Sequence, residues 1–195
     1  MNKQPLGLAF LSLLGIGLVI CALAILWDNA NKPGLPAHAQ KNWPHKTSLQ
    51  RHLDFSTLVM FVYPHCDCSE ASLSELNQIM KKVDNRLNVF IVFVTPAGKP
   101  AFWKNTGLWS SARLIPNTQI ILDQGALEAD RFGAQTSGQV LLYDPQGQLI
   151  FSGGITRARG HAGDNAGKSA IISYINNHQL AIQSAPVFGC ALKSW

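Results

Sequence analysis

The sequence predicts an α/β domain, a central mixed sheet flanked by helices, behind one N-terminal transmembrane helix. Three observations predict it. First, an apolar run at 58–62 (Leu58, Val59, Met60, Phe61, Val62) precedes a helical pattern at 69–86 and a second, continuous apolar run at 88–95. Uninterrupted apolar strands are covered on both faces, as in a parallel sheet, and strand, helix, strand in this order form a right-handed crossover unit. Second, strand patterns at 140–144 and 149–153 are joined by Pro145-Gln146-Gly147, a hairpin signal. Third, residues 6–27 carry no charge and are long enough to cross a hydrocarbon core of ~30 Å as a helix.

A chain of 195 residues with 47% hydrophobics has room for one globular domain and an appendage. The division expected is an anchor at 1–28, a linker at 29–46, the domain at 47–182 and a tail at 183–195. The net charge of +5 and the pI of 9.2 come from scattered residues without a Lys/Arg-rich run, which argues against nucleic acid as a partner.

The apolar run has Lys3 before it and Trp27 at its far end, where an interfacial aromatic anchors. A cleaved signal peptide is the competing reading, since Ala37-His38-Ala39 fits a cleavage site. That site lies well beyond the run, and the run exceeds a usual signal core, so an uncleaved anchor is favoured. The positive-inside rule then keeps the N-terminus cytoplasmic and exports the rest. Cys21 within the run reads as a small apolar residue.

Residues 29–43, with Pro33 and Pro36 and with Pro44 just beyond, have no periodicity and read as a linker holding the domain off the bilayer. Residues 47–55 read as a short helix or an edge strand. In the 69–86 helix, Leu73, Leu76, Ile79, Met80 and Val83 form the inner face, and Glu75, Lys81, Lys82 and Asp84 the outer. The 96–116 connection contains a helix and the aromatics Phe102, Trp103 and Trp109, read as core. A strand at 119–123, a short helix at 126–132, a glycine-rich loop at 153–161 and a helix at 163–178 complete the domain. The tail Pro186-Val187-Phe188-Gly189-Cys190 is apolar enough to dock.

Chemistry is concentrated at His65-Cys66-Asp67-Cys68, between the first strand and the first helix of the domain. Pro64 ends the strand, because proline offers no N–H to the ladder. Asp67 and Glu70 have capping-box spacing, so the helix is expected just after Asp67. The first N–H groups of a helix lack intrahelical partners and its dipole is positive there, which lowers a thiol's pKa below about 8.5. Cys66 is therefore the candidate attacking thiolate, Cys68 the resolving thiol, and His65 a positive neighbour when protonated.

With the order strand, cysteine turn, helix, strand, helix, strand, hairpin and helix, residues 55–178 resemble the thioredoxin fold. Within that fold they resemble the membrane-anchored TlpA/ResA-type redoxins of the bacterial periplasm and the small RedB-like group. Segments 123–133 and 139–147 are similar to that superfamily's approach to its fourth strand and to its final hairpin. The resemblance implies thiol–disulfide exchange with periplasmic protein thiols or disulfides, an inner-membrane location with a single pass, and no cofactor. Two departures stand out. One residue, not two, separates the cysteines, which makes a more strained ring. Where the family places a cis-proline before the hairpin, this chain has Ser137-Gly138.

Other constellations are weaker. Residues 162–169 fit a relaxed phosphate-loop pattern ending in Lys168-Ser169, but no strand directly precedes them, so no nucleotide partner is expected. The rival functional class is soft-metal binding: copper held by ligands drawn from His65, Cys66, Cys68, His161 and Cys190, for delivery to a respiratory enzyme. Four-ligand zinc spacing and a haem-attachment motif are absent, an iron–sulfur cluster would need Cys21 from the anchor, and there is no hydrolase nucleophile elbow. A peroxidase would place Arg and Thr beside the cysteine, and neither occurs between Pro64 and Glu75. If Cys66 pairs with Cys68, Cys190 is left over. Two placements stay open for it: beside the cysteine turn as a third thiol or ligand, or docked elsewhere as a small buried apolar residue.

Overall fold

The computed structural model describes residues 4–98, 103 and 106–193. Lys3 and Phe102 lie outside the described residues. The element order is α1 (Gln4–Asn31), β1 (Ser56–Val62), α2 (Ser69–Lys82), β2 (Leu87–Thr95), α3 (Gly107–Arg113), β3 (Thr118–Gln124), α4 (Leu127–Phe132), β4 (Gln139–Tyr143), β5 (Leu149–Gly153), α5 (Ala166–Asn177) and β6 (Ser184–Ala185).

The strands form one sheet in the order β3-β2-β1-β4-β5-β6. β1 runs parallel to β2, and β2 to β3; β4 is antiparallel to both β1 and β5; β6 lies parallel to β5. Every residue of β1 is buried, because it is central and covered on both faces. Its alternate side chains feed two cores. Leu58, Met60 and Val62 meet Leu73, Leu76 and Ile79 of α2 and Ile171 and Ile175 of α5. Val59 and Phe61 meet Ala129 and Phe132 of α4, with Leu141 and Tyr143. A mixed sheet of this order, with helices on both faces, is a thioredoxin-like fold.

α1 stands apart from these cores. Within its segment Gly7–Asn31 an 18-residue stretch has a mean hydropathy of 2.8 and is unburied, so by length and composition the helix can cross a membrane.

The structure corrects four expectations. Residues 29–46 are not a free linker. Gly34, His38 and Trp43 donate backbone bonds to Val187, Gly133 and Gly147. The Trp43 ring packs edge-on against Phe132 and Tyr143, at 5.0 and 5.2 Å, so burial of an indole holds this segment on the domain. Residues 47–55 form neither helix nor strand; Leu49 enters the second core, and Thr47 and Ser48 donate to the Glu128 carboxylate. The domain continues past 182, since β6 adds an edge strand and the tail packs onto the site described below. Finally, Glu75 does not face solvent.

Glu75 is 2% exposed. Its Oε2 lies 2.6 Å from Lys168 Nζ, and its Oε1 accepts the Gly163 N–H at 2.6 Å. Lys168 also donates to the Gly163 carbonyl. The lysine of the phosphate-loop-like segment is thus committed to a carboxylate on α2, and Glu75 in turn raises the pKa of Lys168. This pair clamps the loop before α5 onto α2. Asn165 caps α5 by accepting the Lys168 N–H, and it ties the same loop to Ile155.

Removing one partner of a buried pair strands the other charge. Lys168→Met is expected to destabilise the protein by about 3–5 kcal/mol in urea unfolding. The double variant Glu75→Gln/Lys168→Met should recover most of that loss. A loss below about 1 kcal/mol for the single variant contradicts the pairing.

Candidate functional site

The site begins where β1 leaves the sheet. After Tyr63-Pro64 the chain makes successive tight turns: Cys66 N–H bonds to Tyr63 O, Ser69 N–H to Cys66 O, and Glu70 N–H to Asp67 O. These turns lead directly into α2. The helix starts later than the capping-box spacing implies. Cys68 is the N-cap, already in helical backbone, and no side chain caps it. Asp67 takes part through its carbonyl, and the Glu70 carboxylate accepts from Ser111 instead.

Three sulfurs meet at this turn. Cys66 Sγ lies 2.8 Å from Cys68 Sγ and 2.8 Å from Cys190 Sγ, and Cys68 Sγ is 3.8 Å from Cys190 Sγ. Cys190 therefore sits at the turn, the first of its two open placements. Its backbone N–H also donates to Cys66 Sγ at 3.3 Å. Cys66 is fully buried, whereas Cys68 and Cys190 are half-buried.

The loop before β4 supports the cluster from below. Ser137 Oγ accepts the Tyr63 N–H at 2.7 Å and lies 2.7 Å from Ser69 Oγ. Gly138 donates its N–H to Phe61 O and adopts a φ of +86°, a conformation that favours glycine. A Cβ there would also meet Ser72 Oγ at 2.7 Å. The position matched to the family's cis-proline is thus held by a left-handed glycine that lets the loop approach α2.

Electrostatics divide the sulfurs into unlike roles. The Cys66 thiol is pulled down to about 5, chiefly by the hydrogen bond from Cys68; burial opposes this, and the Cys190 thiol, the Ser69 hydroxyl and the Cys190 N–H assist it. Cys68 is pushed up, first by its bond to Cys66 and then by burial. Burial, followed by its bond to Cys66, pushes Cys190 up as well, partly offset by Arg159. The cluster therefore holds one thiolate between two thiol donors, because three adjacent anions would repel in a desolvated site.

His65 is exposed, and its ring lies edge-on to Trp103 at 4.5 Å and near Tyr63 at 6.0 Å. It is not among the largest contributors to the lowered Cys66 thiol. His161 Nδ1 faces the Arg159 carbonyl at 2.7 Å. Neither histidine joins the sulfurs, so among the described residues the soft-ligand cluster consists of Cys66, Cys68 and Cys190.

Two contributors carried no local signal. Ser69 reads in sequence as an ordinary first-turn residue. Arg159, which reads as part of a glycine-rich loop, places Nη1 4.0 Å from Cys68 Sγ and donates through its backbone and side chain to Ala30 and Lys32. An arginine does therefore stand beside the cysteines, supplied from a distant segment rather than from the turn itself.

No protein-family model matches the sequence, and no curated protein does. Solved structures do share its fold. A hypothetical protein from Sinorhizobium meliloti matches with a TM-score of 0.60 at 15% identity, over 84% of this chain and 97% of that one. An uncharacterized conserved protein from Geobacillus kaustophilus matches with a TM-score of 0.58 at 14% identity, over 85% and 92%. The thioredoxin domain of a thiol–disulfide oxidoreductase from Bacteroides vulgatus matches at 0.44 and 16% identity, over 62% and 87%. At these identities the likeness concerns the fold alone.

The Ser69 hydroxyl is one of the donors that hold Cys66 as a thiolate. Ser69→Ala should move the midpoint of the pH profile for Cys66 alkylation, followed by peptide mass spectrometry, upward from about 5. An unchanged midpoint contradicts this role.

Proposed function

We propose that the chain is a membrane-anchored, exported thiol–disulfide exchange protein acting on periplasmic protein thiols or disulfides, with the domain on the periplasmic side of a bacterial inner membrane. The observation that carries this reading is the low-pKa Cys66 sulfur held 2.8 Å from Cys68 Sγ at a strand-to-helix turn. The thiolate is the nucleophile in exchange, and a neighbouring thiol can attack the mixed disulfide. Cys66 forms the bond to the partner's sulfur; the partner's other sulfur leaves and takes up a proton. A neighbouring thiol of the cluster then gives up its proton and displaces the partner, which leaves reduced by two electrons, and the site ends with Cys66–Cys68 oxidised. The reverse sequence oxidises a partner dithiol.

Cys66→Ser and Cys68→Ser should each abolish repeated, multiple-turnover reduction of a model protein disulfide while leaving thermal unfolding nearly unchanged, since neither removes a large apolar group. Full activity in both variants contradicts the reading. The full chain should also resist carbonate extraction from membranes; a soluble form beginning at Gln40 would instead assign α1 to a cleaved signal.

One observation favours a second reading, binding of a soft metal such as Cu(I) for delivery to a respiratory enzyme. The sulfurs of Cys66, Cys68 and Cys190 all lie within 4.8 Å of one another, a thiolate set that suits Cu(I). Titration of the reduced chain with Cu(I) against a chromophoric chelator tests it. Retention of one Cu(I) per chain, lost in each Cys→Ser variant, supports this reading; release of all Cu(I) to the chelator contradicts it.

A further inference from the structure

Residues 187–192 cross the sulfur cluster and pair with the loop before β4. Ser137 donates its N–H to Cys190 O, and Leu192 donates to Gln135 O, each at 2.8 Å. Thr136 and Ala191 face one another as an antiparallel bridge. Val187 and Leu192, 8% and 1% exposed, bracket the crossing. Gly189 passes so close to the loop before β4 that a Cβ would come within 1.9 Å of Ser137 O. The backbone edge at 135–137 is thereby filled by the chain's own end.

Two consequences follow. An incoming protein disulfide cannot reach Cys66 while this segment is seated, because Cys66 is fully buried and the exposed sulfur surface belongs to Cys68 and Cys190. And Cys66 has two equidistant sulfur neighbours, of which Cys190 is free of the constraint that a one-residue spacer puts on a Cys66–Cys68 ring.

We propose that residues 187–192 act as a tethered partner strand, and that Cys190 is the thiol that first closes a disulfide with Cys66. This inference rests on the exchange reading. The segment lifts away, and the Cys66 thiolate attacks an external protein disulfide; the partner's first sulfur leaves and is protonated. The segment returns, and Cys190 gives up its proton and attacks Cys66 Sγ. The Cys66–Cys190 bond forms, the Cys66–partner bond breaks, and the partner's second sulfur leaves with a proton. Two electrons have moved from the Cys66 and Cys190 sulfurs to the partner. Cys68 then gives up a proton and displaces Cys190 from Cys66, and Cys190 takes up a proton. That step changes no net oxidation state but unlatches the segment. An external dithiol returns the two electrons.

The test uses the full chain in detergent, reduced, mixed with oxidised insulin as the protein disulfide, quenched by alkylation and mapped by peptide mass spectrometry. Cys68→Ser should still release insulin as free thiol in one turnover and accumulate Cys66–Cys190. Cys68→Ser/Cys190→Ser should stall as a Cys66–insulin mixed disulfide. Gly189→Val, which unseats the segment, should raise the rate of Cys66 alkylation roughly tenfold or more, in keeping with a newly exposed thiolate. The proposal is overturned if Cys68→Ser itself stalls as the mixed disulfide while the parent chain closes only Cys66–Cys68. If Gly189→Val does not fold, the comparison between the two serine variants still decides. A parent chain that neither reduces insulin nor forms any Cys66 disulfide refutes the exchange reading itself, a distinct outcome.

Discussion

The arrangement of the sulfurs depends on one hydroxyl. Ser137 Oγ accepts the N–H of Tyr63 at the end of β1 and contacts Ser69 Oγ at the start of α2, and the Ser137 N–H holds the carbonyl of Cys190. A single residue thus ties together the strand that leads into the cysteine turn, the helix that follows it and the chain end that closes over it. The orientation is self-consistent. With its lone pairs facing the Tyr63 N–H, Ser137 donates to Ser69, and Ser69 donates to the Cys66 thiolate. Desolvation disfavours a buried thiolate, and this relay, with the two neighbouring thiols, outweighs that cost.

A second constraint holds the other side of the cluster. The Glu75–Lys168 pair fixes the loop before α5, and the same loop system carries Arg159 to Cys68. Its guanidinium brings positive charge to the exposed side of the sulfurs, while the chain end covers the other side. The cluster is therefore enclosed by segments far apart in the sequence, and a thiolate that is low in pKa is also shielded. Reactivity here is governed by access as much as by ionisation.

Much of the fold was legible because its signals are local. The apolar runs that became β1 and β2 are continuous, and Pro145-Gln146-Gly147 marks the hairpin of β4 and β5. The cysteine turn was legible for the same reason, since Pro64 and the helical spacing after Ser69 frame it. What escaped depends on tertiary partners. Glu75 reads as solvated opposite Leu73 and Leu76 until Lys168 arrives from another helix. Residues 29–46 lack periodicity, and the packing of Trp43 needs Phe132 and Tyr143 from distant segments. Arg159 carried no hint at all. Cys190 was suspect as the odd thiol, but its position is set by backbone pairing to 135–137, which no spacing encodes.

The central claim is that Cys66 is the lone thiolate of a three-sulfur cluster, held by Cys68 and Cys190. The most direct measurement is the pH titration of each cysteine Cβ chemical shift in the reduced full chain. Cys66 should titrate with a midpoint near 5, while Cys68 and Cys190 remain thiols at neutral pH, and Cys190→Ser should raise the Cys66 midpoint. Three independent titrations near the ordinary thiol value of about 8.5 would contradict the account.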